Sequence, residues 1–136
     1  MIASLLIITF LIIALFHIYW GMSGPNPNSA TLPQINGAPA FVPSRLAGFA
    51  VAVAFLIAAA VVAIFVGAVD TPISKQLLRW LLRLMSFIFL LRAIGDFRLV
   101  GFFKRIKESK FARLDTLYFS PLCVCMALGL FTIAEN

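Results

Sequence analysis

The sequence predicts an all-α integral membrane protein, a four-helix transmembrane bundle, and two observations carry that expectation. Hydrophobic residues make up 62% of the 136-residue chain and charged residues 12%, against roughly 45–50% and 25% in soluble domains. The apolar residues gather into four segments of helical length, at about 2–20, 46–69, 77–99 and 115–134, and about 20 helical residues cross a hydrocarbon core about 30 Å thick. Residues 1–136 then form a single transmembrane domain, covered by lipid rather than water.

The first segment has no basic leading region and no small-x-small cleavage site, and its apolar run exceeds a signal-peptide core, so it is expected to be a retained span. It closes on His17, Tyr19 and Trp20, and its aromatic rings suit the membrane–water boundary. The connection 21–44 carries no charge up to Ser44 and holds five of the seven prolines together with Asn26, Asn28, Gln34 and Asn36. That composition suits an ordered, turn-rich loop. It reads either as a linker between antiparallel helices or as a lid whose amides donate hydrogen bonds at the end of the bundle. The second segment is uncharged and places Ala47, Gly48, Ala52, Ala59, Ala63 and Gly67 among small-xxx-small spacings. In lipid, small residues let helix backbones approach closely. This helix is therefore expected at the centre of the bundle, or equally at the seam of a homo-oligomer.

Val69-Asp70-Thr71-Pro72 makes a tight turn into the third segment, since proline is tolerated at a first helical position. Lys75, Arg79 and Arg83 follow at four-residue spacing on one face and are expected to snorkel to the interface. The connection 98–115 mixes Phe102, Phe103, Ile106 and Phe111 with lysines and arginines. Such a stretch suits the surface of an anionic leaflet, where each basic residue gains about 1 kcal/mol. It adjoins two spans, so lipid headgroups are its expected partner and nucleic acid is not. The fourth segment is expected to start at Asp115 or Thr116 as a cap, with Pro121 inside its first turns removing the donor for the Leu117 carbonyl.

Basic residues crowd one end of this arrangement: Arg45, Arg98, Lys104, Arg105, Lys107, Lys110 and Arg113. The positive-inside rule makes that end cytoplasmic and puts both termini outside. His17, Trp20, Arg45, Arg92, Asp96, Arg98, Asp115 and Tyr118 then fall at one membrane depth and form the candidate ligand-binding set. Arg92 lies about two turns inside the boundary, where a charge is costly and by default marks a functional site. Asp96 follows Arg92 by four residues, the less favourable order for a helical ion pair, and its place near a helix C-terminus disfavours an anion. It is expected to have a tertiary partner among Arg45, His17 and Arg113. The set reads either as an ion-pair network that fixes helix register or as a ligand site.

Several chemistries are disfavoured. A single histidine and no glutamate within a span argue against a transition metal. Cys123 and Cys125 point about 200° apart on a helix, unlike the C-x-x-C pair of four-helix thiol oxidoreductases of the vitamin K epoxide reductase type. The missing membrane-embedded glutamate likewise separates the chain from small multidrug exporters. There is no Gly-rich phosphate loop and no serine nucleophile motif. No catalytic residue, metal or cofactor is therefore expected.

His17-Ile18-Tyr19-Trp20-Gly21, Leu91-Arg92-Ala93-Ile94-Gly95-Asp96-Phe97-Arg98, Gly101-Phe102-Phe103-Lys104, and Phe111-Ala112-Arg113-Leu114-Asp115-Thr116 with Ser120-Pro121-Leu122 resemble a bacterial family of short four-helix membrane proteins known as a domain of unknown function. The resemblance covers nearly the whole chain, with H-x-Y-W-G and R-A-I-G-D-F-R as its signatures. It implies four helices in a bacterial inner membrane and implies no activity. From the residues, the first expectation is binding or transport of a small anionic or amphipathic ligand in a cytoplasm-facing polar pocket. The alternatives are a membrane-embedded enzyme acting on a lipid-like substrate, with His17 or Asp96 as general base, and an accessory subunit of a membrane complex.

Overall fold

The computed structural model describes residues 1–24 and 31–136, and its regular structure is helical apart from one small ribbon. The helices are α1 (Ile2–Ser23), α2 (Arg45–Phe65) and α3 (Lys75–Ile94), followed by α4 (Lys110–Leu114), which runs through a π-helical turn (Asp115–Phe119) into α5 (Ser120–Glu135). The ribbon pairs β1 (Gln34–Ile35) with β2 (Ala38–Pro39). α1 is apolar on every face, the pattern of a helix surrounded by lipid and other apolar helices.

Three of these helices are long and apolar enough to cross a membrane: α1, α2 and the 26-residue rod Lys110–Glu135. α3, which answers to the third expected span, is not among these three, since Lys75, Arg79, Arg83 and Arg92 fall within its 20 residues. It also stops at Ile94 rather than Leu99, and α2 stops at Phe65 rather than Val69. The rod, by contrast, starts earlier than expected. Its cap is Ser109, whose hydroxyl accepts the Ala112 N–H at 3.0 Å, so neither Asp115 nor Thr116 serves as cap. Pro121 is accommodated by the π turn before it, in which the Ser120 N–H bonds the Asp115 carbonyl.

α1 packs antiparallel along α2, and α3 along α5. α2 packs chiefly on α1 and also meets α3, just as α5 packs chiefly on α3 and also meets α1, so α2 is not set apart as a central helix. Its small residues do permit close approach. A Cβ on Gly48 would lie 3.1 Å from the Gly21 nitrogen and 3.2 Å from its Cα. Phe10, Phe55 and Phe89, one from each of α1, α2 and α3, join the two hairpins with ring centroids 5.7–5.9 Å apart. Beside them Val62, Leu82 and Leu130 are fully enclosed. The Ser86 hydroxyl donates to the Ala127 carbonyl at 2.7 Å, an interhelical bond worth roughly 0.6–2 kcal/mol in lipid.

Ion pairs tie α3 to both ends of the rod. Arg83 meets Glu135 at 2.8 Å, and Arg92 meets Asp115 at 2.8 Å. The two arginines are about 14 Å apart along α3, whereas their partners are about 30 Å apart along the rod. Their guanidinium groups therefore reach in opposite directions. Arg83 also lies over the Trp80 ring at 5.1 Å, but its pair with Glu135 is partly exposed and adds at most about 1 kcal/mol. The connection from Gly95 to Ser109 is irregular, so the expected amphipathic stretch becomes helical only at Lys110.

Candidate ligand cavity beneath the first loop

The site begins with a turn. Asn36 and Gly37 have φ of 51° and 80°, the two left-handed positions that a type I′ hairpin requires. Asn-Gly flanked by Ile35 and Ala38 is the sequence signal for it, and it sets the register Gln34 to Pro39 and Ile35 to Ala38. The hairpin folds the loop back, with Leu32 and Pro33 buried against the end of the bundle.

Beneath the loop is a cavity of about 860 Å³. α1 lines it with His17, Tyr19 and Trp20, α2 with Ala47, Gly48 and Val51, and α3 with Arg92, while Val100 and Phe111 close the far wall. The loop contributes Thr31, Leu32, Pro33, Phe41, Pro43 and Ser44. The loop thus does form a wall, but of apolar and hydroxyl groups. Neither Gln34 nor Asn36 lines the cavity, and Asn26 and Asn28 lie outside the described residues.

Of the expected set, His17, Trp20 and Arg92 come together at this cavity. Asp115 is fully buried and holds Arg92 in place. Arg45, Asp96, Arg98 and Tyr118 are exposed and do not line it. The Arg45 side chain lies instead beside Gly24, at the end of α1.

Asp115 organises a compact charged cluster. Its Oδ1 accepts Arg92 Nη2 at 2.8 Å, and its Oδ2 accepts the Gly101 N–H at 2.7 Å and Lys104 Nζ at 3.0 Å. Lys104, only 2% exposed, also donates to the Gly101 carbonyl at 2.8 Å and to Thr116 Oγ1 at 2.7 Å. Its three protons therefore have three acceptors. Lys104 was expected among the headgroup contacts, and its burial corrects that: a carboxylate enclosed by helices needs cations drawn in around it. Two cations surround one anion, so the cluster is positive by one charge. Arg92 Nη1 is buried and has no hydrogen-bond partner.

Asp96 does not have the expected tertiary partner. α3 ends two residues before it, so the helix-terminus argument does not reach it. Its Oδ1 accepts the N–H groups of Arg98, Leu99 and Val100 at 2.9, 2.7 and 3.0 Å, a local turn of the kind aspartate favours. Burial opposes the charge, but the N–H groups of Val100, Leu99 and Arg98 outweigh it and hold the carboxyl below the usual carboxylate range. A lowered folded pKa gives stability that is present above the unfolded value, about 3.9, and lost as pH falls through the folded one. Asp96→Ala should accordingly lower the melting temperature at pH 6, with the gap to the parent closing below about pH 4. A gap that persists unchanged at pH 3 would refute the charge-based account.

His17 has a defined tautomer. Nδ1 lies 2.9 Å from the Ile13 carbonyl, which only accepts, so Nδ1 carries the proton and Nε2 of the neutral ring is left as an acceptor. The ring sits edge-on to Trp20 at 5.0 Å and against Phe55 at 5.8 Å.

The family model described as "Protein of unknown function (DUF3995)" matches residues 10–130. The chain belongs to the DUF3995 family. No curated protein and no solved structure matches it. The stretch matched to DUF3995 contains every described residue of the cavity and of the Arg92, Asp115 and Lys104 cluster. In chemical terms this DUF3995 chain offers a half-buried guanidinium donor, an imidazole acceptor and aromatic walls. Lys104 is the member of the cluster that the sequence does not reveal, because nothing local distinguishes it from the neighbouring Arg105 and Lys107.

Proposed function

We propose that this protein binds or carries a small anionic or amphipathic ligand in the cavity between His17, Trp20 and Arg92. The observation that supports this most is the charge balance at the wall: Arg92 is paired on one nitrogen only, in a cluster positive by one. An anion is the natural complement to such an excess at the end of an apolar bundle. Asp96 is engaged by three backbone N–H groups and lies off the cavity, which removes one of the two alternative bases of an enzyme reading.

The same reading makes the protein a four-span bundle of the bacterial inner membrane. α3 is about 30 Å long and runs antiparallel to α5, with Arg83 and Arg92 reaching to opposite ends. Eight of the eleven basic residues lie at the cavity end, which makes it cytoplasmic and leaves both termini outside. There the exposed Arg98, Arg105, Lys107, Lys110 and Arg113, with Phe102 and Phe103, meet anionic headgroups.

Trp20 provides the test. In a Trp80→Phe background it is the sole tryptophan, and hexanesulfonate should shift its emission saturably. Arg92→Ala and Arg92→Gln should abolish the shift, and Arg105→Ala should keep it. An Arg92→Ala protein with unchanged thermal stability and an unchanged anion response would defeat the proposal.

A further inference from the structure

The outer face of α1 carries a second hollow. Ile12, Leu15, Phe16 and Tyr19 bound an apolar groove of about 470 Å³, extending along about 10 Å of helix. Tyr19 also lines the cavity, so one residue borders both the cavity that Arg92 lines and the apolar groove. Resting on the proposed anion site, we infer that the ligand is a single-chain amphiphile with one negative charge, its head beside Arg92 and its alkyl chain lying along this groove.

Each part of that ligand answers to a separate observation. The cluster is positive by one, so a monoanionic head balances it and a dianion overshoots. Arg92 lines the cavity and is bonded to Asp115 through one nitrogen only, so its guanidinium can also donate to a sulfonate, carboxylate or phosphate oxygen. A small free anion would leave Leu32, Phe41 and Val51 of the cavity, and the whole groove, without a counterpart. The groove is a single track on one helix, which suits one chain. In lipid the chain gains little from leaving water, so the groove orients the amphiphile and brings its head to Arg92 from within the membrane.

The Trp80→Phe protein in nanodiscs of zwitterionic lipid gives the test. A long-chain alkyl sulfonate with bromine on its chain should quench Trp20 saturably, at a mole fraction at least tenfold below that needed for the alcohol with the same brominated chain. Filling the groove by Ile12→Phe with Leu15→Phe should raise the half-saturating mole fraction at least fivefold and leave the response to soluble hexanesulfonate unchanged. Loss of that response as well would mean the anion site itself is absent or disrupted, and single substitutions at Ile12 or Leu15 would then carry the comparison. The inference is overturned if hexanesulfonate still shifts Trp20 while the long-chain anion has no advantage, or if the filled groove changes nothing. It is likewise overturned if alcohol and sulfonate quench alike without saturation, which is the behaviour of bulk lipid.

Discussion

Replacing Asp115 by alanine should cost about 3–5 kcal/mol of stability, the penalty for leaving buried cations without their counter-charge. Lys104 is almost wholly enclosed, and Arg92 is half-buried beside it. Neither reaches another carboxylate among the described residues, because Asp96 is exposed and bonded to its own turn. Asp115→Ala also removes the acceptor for the Gly101 N–H. The double variant Lys104→Met with Asp115→Ala should recover a large part of the loss, since an opposite pair leaves together. Thermal unfolding of the detergent-purified proteins, followed by tryptophan emission, measures both. An Asp115→Ala protein as stable as its parent, or a double variant no better than the single one, would rule out this account of the cluster.

Gly95→Ala and Gly101→Ala should each lower stability by roughly 2–4 kcal/mol, through left-handed backbone strain and overlap with backbone that cannot move aside. The two glycines have φ of 93° and 86°. A Cβ on Gly95 would fall on the Val100 carbonyl, and one on Gly101 on the Ile94 carbonyl. They close the turn that carries the Asp96 bonds, the Val100 wall of the cavity and the Gly101 N–H that Asp115 accepts. The same substitutions should therefore weaken the anion response of Trp20, and amide exchange at residues 96–101 should accelerate. Variants that melt with the parent and keep slow exchange would show that the turn tolerates a side chain.

Much of this was legible in the residues. The apolar runs give α1 and α2, and the distribution of charges correctly gathers His17, Trp20, Arg92 and Asp115 at one end. Asp115 falls there by its depth at the start of the fourth segment, whereas its pairing with Arg92 is not legible in the sequence. What periodicity cannot register is a side chain that satisfies backbone. Asp96 looks isolated on a helical wheel, yet Gly95 takes it out of the helix and into a turn of its own. The charges of the third segment escape periodicity for a related reason: Arg83 and Arg92 are held by partners far away in sequence, Glu135 and Asp115. The Asn36-Gly37 hairpin was written plainly in the loop and was obscured by its prolines.

The π turn at Asp115–Phe119 has a consequence for how the last helix is phased. Along α5 the buried stripe runs through Ser120, Cys123, Ala127, Leu130 and Ala134, and continuing that spacing backwards would put residue 116 inside. Thr116 is instead exposed, and Asp115 is enclosed. One surplus residue, worth about 100° of rotation, separates the two patterns. The stretch that packs against α3 and the stretch that holds the charge are thereby set independently within one continuous helix, so side chains could be exchanged along α5 without turning the carboxylate away from Arg92.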